Sequence, residues 1–322
     1  MGTLFLTLAL IVGSLVAGYA LRRGVEAGFV VFSGSLQVLR QRMQLLALFG
    51  CIPCAALLSL WGLPQPDARL LALPLLGVAN WVVGGMLALG AARLLHLNRA
   101  QTGSLFCCGT FTNIGALGGL ICVLALGERT IALVALYRLC EDVYYFAVGL
   151  PVARSFGTAK AGGGKPLYAV LAEPVFLWVL AALGTGFALR WAALPRPAWC
   201  GTLASGLVLL ATMLFLMGIG MSLRLSHMKV YTRQCLAVAC IKFALAPCCI
   251  TALAWYLGLG AVEGGLPLQV VLVLSSMPVA MNALVPPSLY GLDLDLANTC
   301  WLTSTAALVL VLPVVLWLLP LL

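Results

Sequence analysis

Ser275–Pro287 reads SSMPVAMNALVPP and lies inside an apolar run extending from about residue 266 to 290, long enough to cross a bilayer. Pro278 has no amide proton to give to a helix and leaves carbonyls upstream without partners, while Ser275, Ser276 and Asn282 place polar groups beside the break. An interrupted backbone and a polar side chain at membrane depth are both costly. They are tolerated where they are buried in protein or line a water-accessible cavity. The stretch therefore predicts a discontinuous membrane helix built around a site. A counterpart lies in the first half of the chain, where TFTNIGALGG (Thr110–Gly119) sits within the apolar run 102 to 126. It has no proline, so Gly109, Gly115 and Gly118 are the candidate helix-breaking positions around Thr112 and Asn113.

Composition sets the class. Of 322 residues, 63% are hydrophobic and 8% charged, with a mean hydropathy of +1.12, whereas soluble domains carry roughly 25% charged residues. Apolar runs of membrane length fall near 3 to 21, 41 to 62, 70 to 95, 102 to 126, 131 to 153, 167 to 189, 199 to 222, 234 to 258, 266 to 290 and 297 to 321, which predicts ten transmembrane helices. The run 3 to 21 reads as the first span rather than as a cleaved signal. Val25–Leu39, apolar but rich in Gly and Ser, either lies along the interface or lengthens the second span.

A formal charge of +9 reports orientation here, not a nucleic-acid partner. Arg22, Arg23, Arg40, Arg42, Arg93, Arg99, Arg154, Lys160, Lys165, Arg224, Lys229 and Arg233 fall in alternate loops, and only Arg69, Arg129, Arg190 and Arg196 in the others. The first set is expected in the cytoplasm, with both termini outside a bacterial plasma membrane and Trp191 and Trp199 at the outer interface. The Gly-rich segment 157–166 then links two five-span repeats, 1–156 and 167–322. An odd span number inverts the second repeat, and Asn113 and Asn282 each fall in the fourth span of their half.

Half-helix ends expose unpaired N–H and C=O groups whose partial charges attract ions of opposite sign. An asparagine amide donates to a carboxylate without adding fixed charge. Asn113 and Asn282, with Thr112, Ser275 and Ser276 as further contacts, are thus the candidate site for a small organic anion. Four intramembrane charges need an account. Arg138 shares a helical face with Glu141 and Asp142 in the fifth span, and Lys242 in the eighth either pairs with the unmatched acid or faces the negative end of a broken helix. Structural neutralisation and proton coupling both remain open for this group. Twelve cysteines lie almost wholly inside the spans, and the Cys51–Cys54 pair around Pro53 lacks a second pair at metal-site spacing, so packing is expected and no metal or cofactor. His96 and His227 sit in loops. With no HExxH, no GxSxG and no phosphate-binding loop, an enzyme is not expected.

The segment from Ser275 to Leu319, SSMPVAMNALVPPSLYGLDLDLANTCWLTSTAALVLVLPVVLWLL, resembles the C-terminal end of the auxin efflux carrier family, whose bacterial members are described as carriers of malate, malonate and related acids. TFTNIGALGG is similar to the family's first asparagine motif, and GYALRRG (Gly18–Gly24) with Pro53 resembles its first two spans. The resemblance implies an all-α, ten-helix 5+5 inverted repeat related to bile-acid and sodium/proton carriers. It also implies crossed, broken helices four and nine, a scaffold of spans one, two, six and seven, and homodimerisation. The family's substrate asparagines fall on Asn113 and Asn282, and its crossover proline on Pro278. Leu120 stands where the family usually closes the first motif with proline, and Glu141 and Asp142 stand where it usually has neutral residues. In YGLDLDLAN, either Asp293 or Asp295 caps the tenth helix. Two alternatives stay open: a cation/proton antiporter using Glu141 and Asp142 with Lys242 as a switch, and a ligand-binding membrane sensor without transport.

Overall fold

The structure is a computed structural model that describes residues 2–28, 35–62, 67–157, 174–221 and 231–322. Most of the 157–166 linker, His227, Lys160, Lys165, Arg224 and Lys229 lie outside the described residues.

In chain order the helices are α1 (Gly2–Glu26), α2 (Leu36–Leu45 continuing through Leu46–Cys51 to Ile52–Trp61), α3 (Ala72–Leu94), α4 (Arg99–Thr110) and α5 (Ile114–Gly118 continuing as Gly119–Leu126). They continue with α6 (Thr130–Tyr137), α7 (Glu141–Tyr144 continuing through Tyr145–Gly149 to Leu150–Ser155), α8 (Pro174–Trp191) and α9 (Trp199–Gly220). The last are α10 (Thr232–Cys240 continuing through Ile241–Leu245 to Ala246–Tyr256), α11 (Leu266–Ser275), α12 (Val285–Tyr290) and α13 (Leu294–Leu318).

Among the described residues there is no strand, only an isolated bridge. Five helical runs, Val38–Trp61, Ala68–Leu94, Trp199–Gly218, Thr232–Tyr256 and Leu294–Leu321, are long and apolar enough to cross a membrane, and Ile114–Leu126, Leu177–Trp191 and Glu263–Ser275 are shorter apolar helices. The protein is thus all-helical, with several helices of bilayer-crossing length.

Three of the composite helices share one local cause. Leu46–Cys51, Tyr145–Gly149 and Ile241–Leu245 are π-helical, and each is followed two residues later by a proline, at Pro53, Pro151 and Pro247. A proline removes one amide donor and its ring crowds the preceding turn, so that turn widens to let the helix continue.

The chain divides into two compact units. The first comprises Met1–Pro66, Gly115–Ala132 and Leu177–Leu225; the second comprises Asp67–Ile114, Leu133–Phe176 and Ser226–Leu322. In the first, α9 packs along α1 and α2. Thr212 Oγ1 donates to the Ala116 carbonyl at 3.2 Å. The Arg196–Glu128 ion pair at 2.7 Å and the Ser59 Oγ bond to the Glu128 carbonyl at 3.0 Å fix one end of that unit.

The second unit holds α3, α4, α7 and α10 to α13. α3 and α4 form a tight hairpin, started by a capping box between Asn98 and Gln101. Gly84 lies directly on the Gly109 carbonyl, and a Cβ on Gly109 would come within 2.4 Å of Ala88 Cβ, so the backbones meet without side chains between them. α13 begins at Asp293, whose carboxylate accepts from Leu296 N at 2.9 Å and from the Tyr231 hydroxyl at 3.2 and 3.3 Å. Partial burial and the adjacent Asp293 carboxylate raise the Tyr231 phenol above its usual range, so it stays a donor. Asp293, and not Asp295, is the cap. Replacing Asp293 with alanine is expected to destabilise the protein by about 1 kcal/mol, read as a lowered thermal midpoint, whereas Asp295→Ala removes only its smaller interaction with the helix dipole.

Candidate functional site

α4 stops at Thr110 and the chain runs extended through Phe111. α11 stops at Ser275, and the chain is not helical again until the short 3-10 turn Met281–Leu284 that leads into α12. The two interruptions cross. Thr112 pairs antiparallel with Val279, Asn113 N donates to the Pro278 carbonyl at 2.9 Å, and Ala280 N donates to the Phe111 carbonyl at 3.0 Å. Ser304 Oγ of α13 accepts from Val279 N at 3.3 Å. Backbone groups that neither helix can pair are thereby satisfied by the opposite segment. Asn113 occupies the centre of a three-residue turn, closed by Ile114 N on the Thr112 carbonyl at 2.8 Å.

Both asparagines stand at this crossing. Asn113 is buried. Asn282 lies in the Met281–Leu284 turn, with its Oδ1 buried and making no hydrogen bond to any described residue. Its carbonyl accepts from the Tyr145 hydroxyl at 3.3 Å, and the Tyr145 ring packs on Phe111 with centroids 4.9 Å apart. α7 thus supports the side of the crossing that carries Asn282.

The remaining sequence-predicted residues divide. Thr112 is at the crossing but its Oγ1 accepts from Lys242 Nζ at 2.7 Å. Ser275 Oγ donates into its own helix, to Val271 O at 2.7 Å and Leu272 O at 3.2 Å, so it offers no donor to a ligand. Ser276 lines an apolar cavity of about 340 Å³ with Phe243, Pro247, Thr251, Leu272 and Val311; neither asparagine lines it. Pro278 falls in the extended segment, with its carbonyl holding Asn113 N.

The glycines require a correction. Gly109 is inside the last turn of α4, and Gly115 and Gly118 are inside the π-helical start of α5, so none of them is the break. Phe111–Asn113 is the break, and Gly109 serves helix contact instead.

The charged group also departs from its expected arrangement. The fifth predicted span is interrupted by a turn at Arg138–Cys140, a break with no glycine or proline to announce it. Arg138 Nε pairs with Glu141 Oε2 at 3.0 Å across that turn, and Asp142 joins no ion pair among the described residues. Lys242 takes the second of its two expected places. Its ammonium donates to the Thr110 carbonyl at 3.3 Å, the negative end of α4, and to Thr112. It does not pair with Glu141 or Asp142.

Sequence reasoning passed over Asn80, which is 1% exposed with both amide atoms unpaired among the described residues. Its signal was legible, since it is a lone amide inside the apolar run of α3.

A helical protein with bilayer-length helices and two interrupted helices crossing through paired backbone is the class these features define. No protein-family model matches the chain, and no curated protein matches it.

Proposed function

We propose that this protein is a secondary carrier that moves a small organic anion, a mono- or dicarboxylate such as malate or malonate, across a bacterial plasma membrane by alternating access. The reading is carried by one observation, the crossing at Thr112 and Val279 with Asn113 and Asn282 beside it. Interrupted helices cost backbone hydrogen bonds, and a crossing that is paired only in part gives a substrate polar groups at membrane depth. Asn282 Oδ1 is buried without a partner among the described residues, an acceptor free for a substrate hydroxyl, while donation to a carboxylate would fall to the amide nitrogen.

The resemblance to the auxin efflux carrier family supports the same reading. The division of the chain agrees in part, because the unit of Met1–Pro66, Gly115–Ala132 and Leu177–Leu225 takes in spans one, two and seven and most of span six, but also the α5 half of span four. The ten-span inverted repeat belongs to this proposal, with α4–α5 and α11–α12 as its matched interruptions, protons or another ion as co-substrate, and a homodimer as the assembled form. The cation/proton reading is less favoured, since Lys242 lies on Thr110 and Thr112 instead of opposite Glu141 or Asp142.

The test is a thermal-stability screen of the purified protein against mono- and dicarboxylates, followed by flux in liposomes. A ligand that binds only the folded state raises the thermal midpoint. At least one acid is expected to raise it and to be carried. Stabilisation without flux would make the protein a sensor, and no stabilisation by any acid would remove the anion reading.

A further inference from the structure

The crossing has two sides, and the Asn282 carbonyl meets Tyr145 on one of them. Successive side chains leave an extended segment on opposite faces. Phe111 meets Tyr145 of α7, whereas Thr112 meets Lys242 of α10. On that second side, Lys242 is 1% exposed and its ammonium makes two hydrogen bonds among the described residues, to the Thr110 carbonyl and Thr112 Oγ1. An ammonium has three protons to donate, so one remains.

Two further buried polar groups lie on the helices that flank it. Thr110 Oγ1, on a fully buried residue, makes no hydrogen bond to any described residue, and it abuts α3 at Gly85. Asn80 lies on the α3 face that carries Gly77 and Gly84, which touch the Tyr137 and Gly109 carbonyls. Asn80 is about one turn of α3 before Gly84, and α3 packs against the Lys242 segment.

The unpaired groups offer donors, the third Lys242 proton, the Thr110 hydroxyl and the Asn80 amide nitrogen, and two acceptors, Thr110 Oγ1 and Asn80 Oδ1. The carbonyl end of α4 supplies a charge equivalent to only about half an electron, and among the described residues no carboxylate pairs with Lys242. A buried charge left uncompensated is costly.

We propose that Lys242, Thr110 and Asn80 together bind a small monovalent inorganic anion of chloride's size and charge as the counter-ion of the buried ammonium. It is a second site, separate from the carboxylate site at Asn113 and Asn282.

The test is the thermal midpoint of the purified full-length protein as chloride replaces methanesulfonate from about 1 to about 300 mM at constant ionic strength, so that screening is unchanged. The midpoint is expected to climb by a few degrees as the folded state is occupied. Lys242→Gln should flatten the response, and Asn282→Ala should leave it in place. In crystals of the unaltered protein grown in bromide, an anomalous peak is expected within hydrogen-bond distance of Lys242 Nζ, which decides the matter even if Lys242→Gln does not fold. A midpoint indifferent to chloride, a Lys242→Gln response equal to that of the unaltered protein, or bromide absent from Lys242 would each overturn the proposal. A chloride response without any carboxylate response would retain this site and remove the carrier reading; the reverse would do the opposite.

Discussion

Gly84→Val should unfold or severely loosen the second unit, while Gly90→Val in the same helix should not. Gly84 lies on the Gly109 carbonyl, where even a Cβ would overlap main-chain atoms, and a main-chain carbonyl at the end of α4 cannot rotate away as a side chain does. The overlap can be relieved only by separating α3 from α4. That movement also pulls Thr110 from Gly85 and disturbs the segment leading to the crossing. Overpacking in a close-packed interior costs about 1–3 kcal/mol and occasionally more, and a backbone-on-backbone clash belongs at the upper end. A loss of about 3 kcal/mol would lower the thermal midpoint by roughly 5–10 °C, with a shift to aggregated species on size-exclusion chromatography. Gly90 has no atom within 4 Å of its would-be Cβ, so valine there should change the stability by less than about 1 kcal/mol in either direction. Equal effects at the two positions would mean that the helices do not meet as described.

The glycines also mark where sequence reading reached its limit. Asn113, Asn282 and Pro278 were legible because each carries a cost inside lipid that needs a local reason, and all three stand at the crossing. Gly109, Gly115 and Gly118 were not legible in the same way. A glycine in a membrane helix serves either a break or a close helix contact, and only the position of the neighbouring helix separates the two. Ser275 and Ser276 posed a similar difficulty. One residue is about 100° around a helix, enough to turn Ser275 back onto its own carbonyls and Ser276 toward an apolar cavity.

The turn at Arg138–Cys140 has no residue that forbids helix, so it is set by tertiary packing and left no trace in the sequence. For Lys242 the sequence supplied the charge and two possible partners. The choice between them depended on a contact spanning 130 residues of chain, which no local pattern encodes.

Asn282→Asp should cost more than Asn282→Ala in the binding of any acid that the protein carries, and this ordering tests the sign of the ligand's charge. The alanine variant removes the side-chain amide but leaves the backbone carbonyl that accepts from Tyr145, so the crossing should persist. A hydrogen bond to a charged group contributes about 1.5–3 kcal/mol, and its loss corresponds to roughly 10- to 150-fold weaker affinity. Aspartate is nearly the same size and adds a carboxylate beside the bound one. Like charges close together in a poorly solvated site repel strongly, so binding and flux should fall below detection. If the ligand were a cation, the order would reverse, with Asn282→Asp binding more tightly than the unaltered protein. Titration calorimetry with the acid found by thermal screening, together with flux in liposomes, measures both variants. Circular dichroism and a single size-exclusion peak check that they fold. Equal affinities for the unaltered protein and both variants would place the ligand away from the crossing, and a gain with aspartate would exchange the anion carrier for the cation reading.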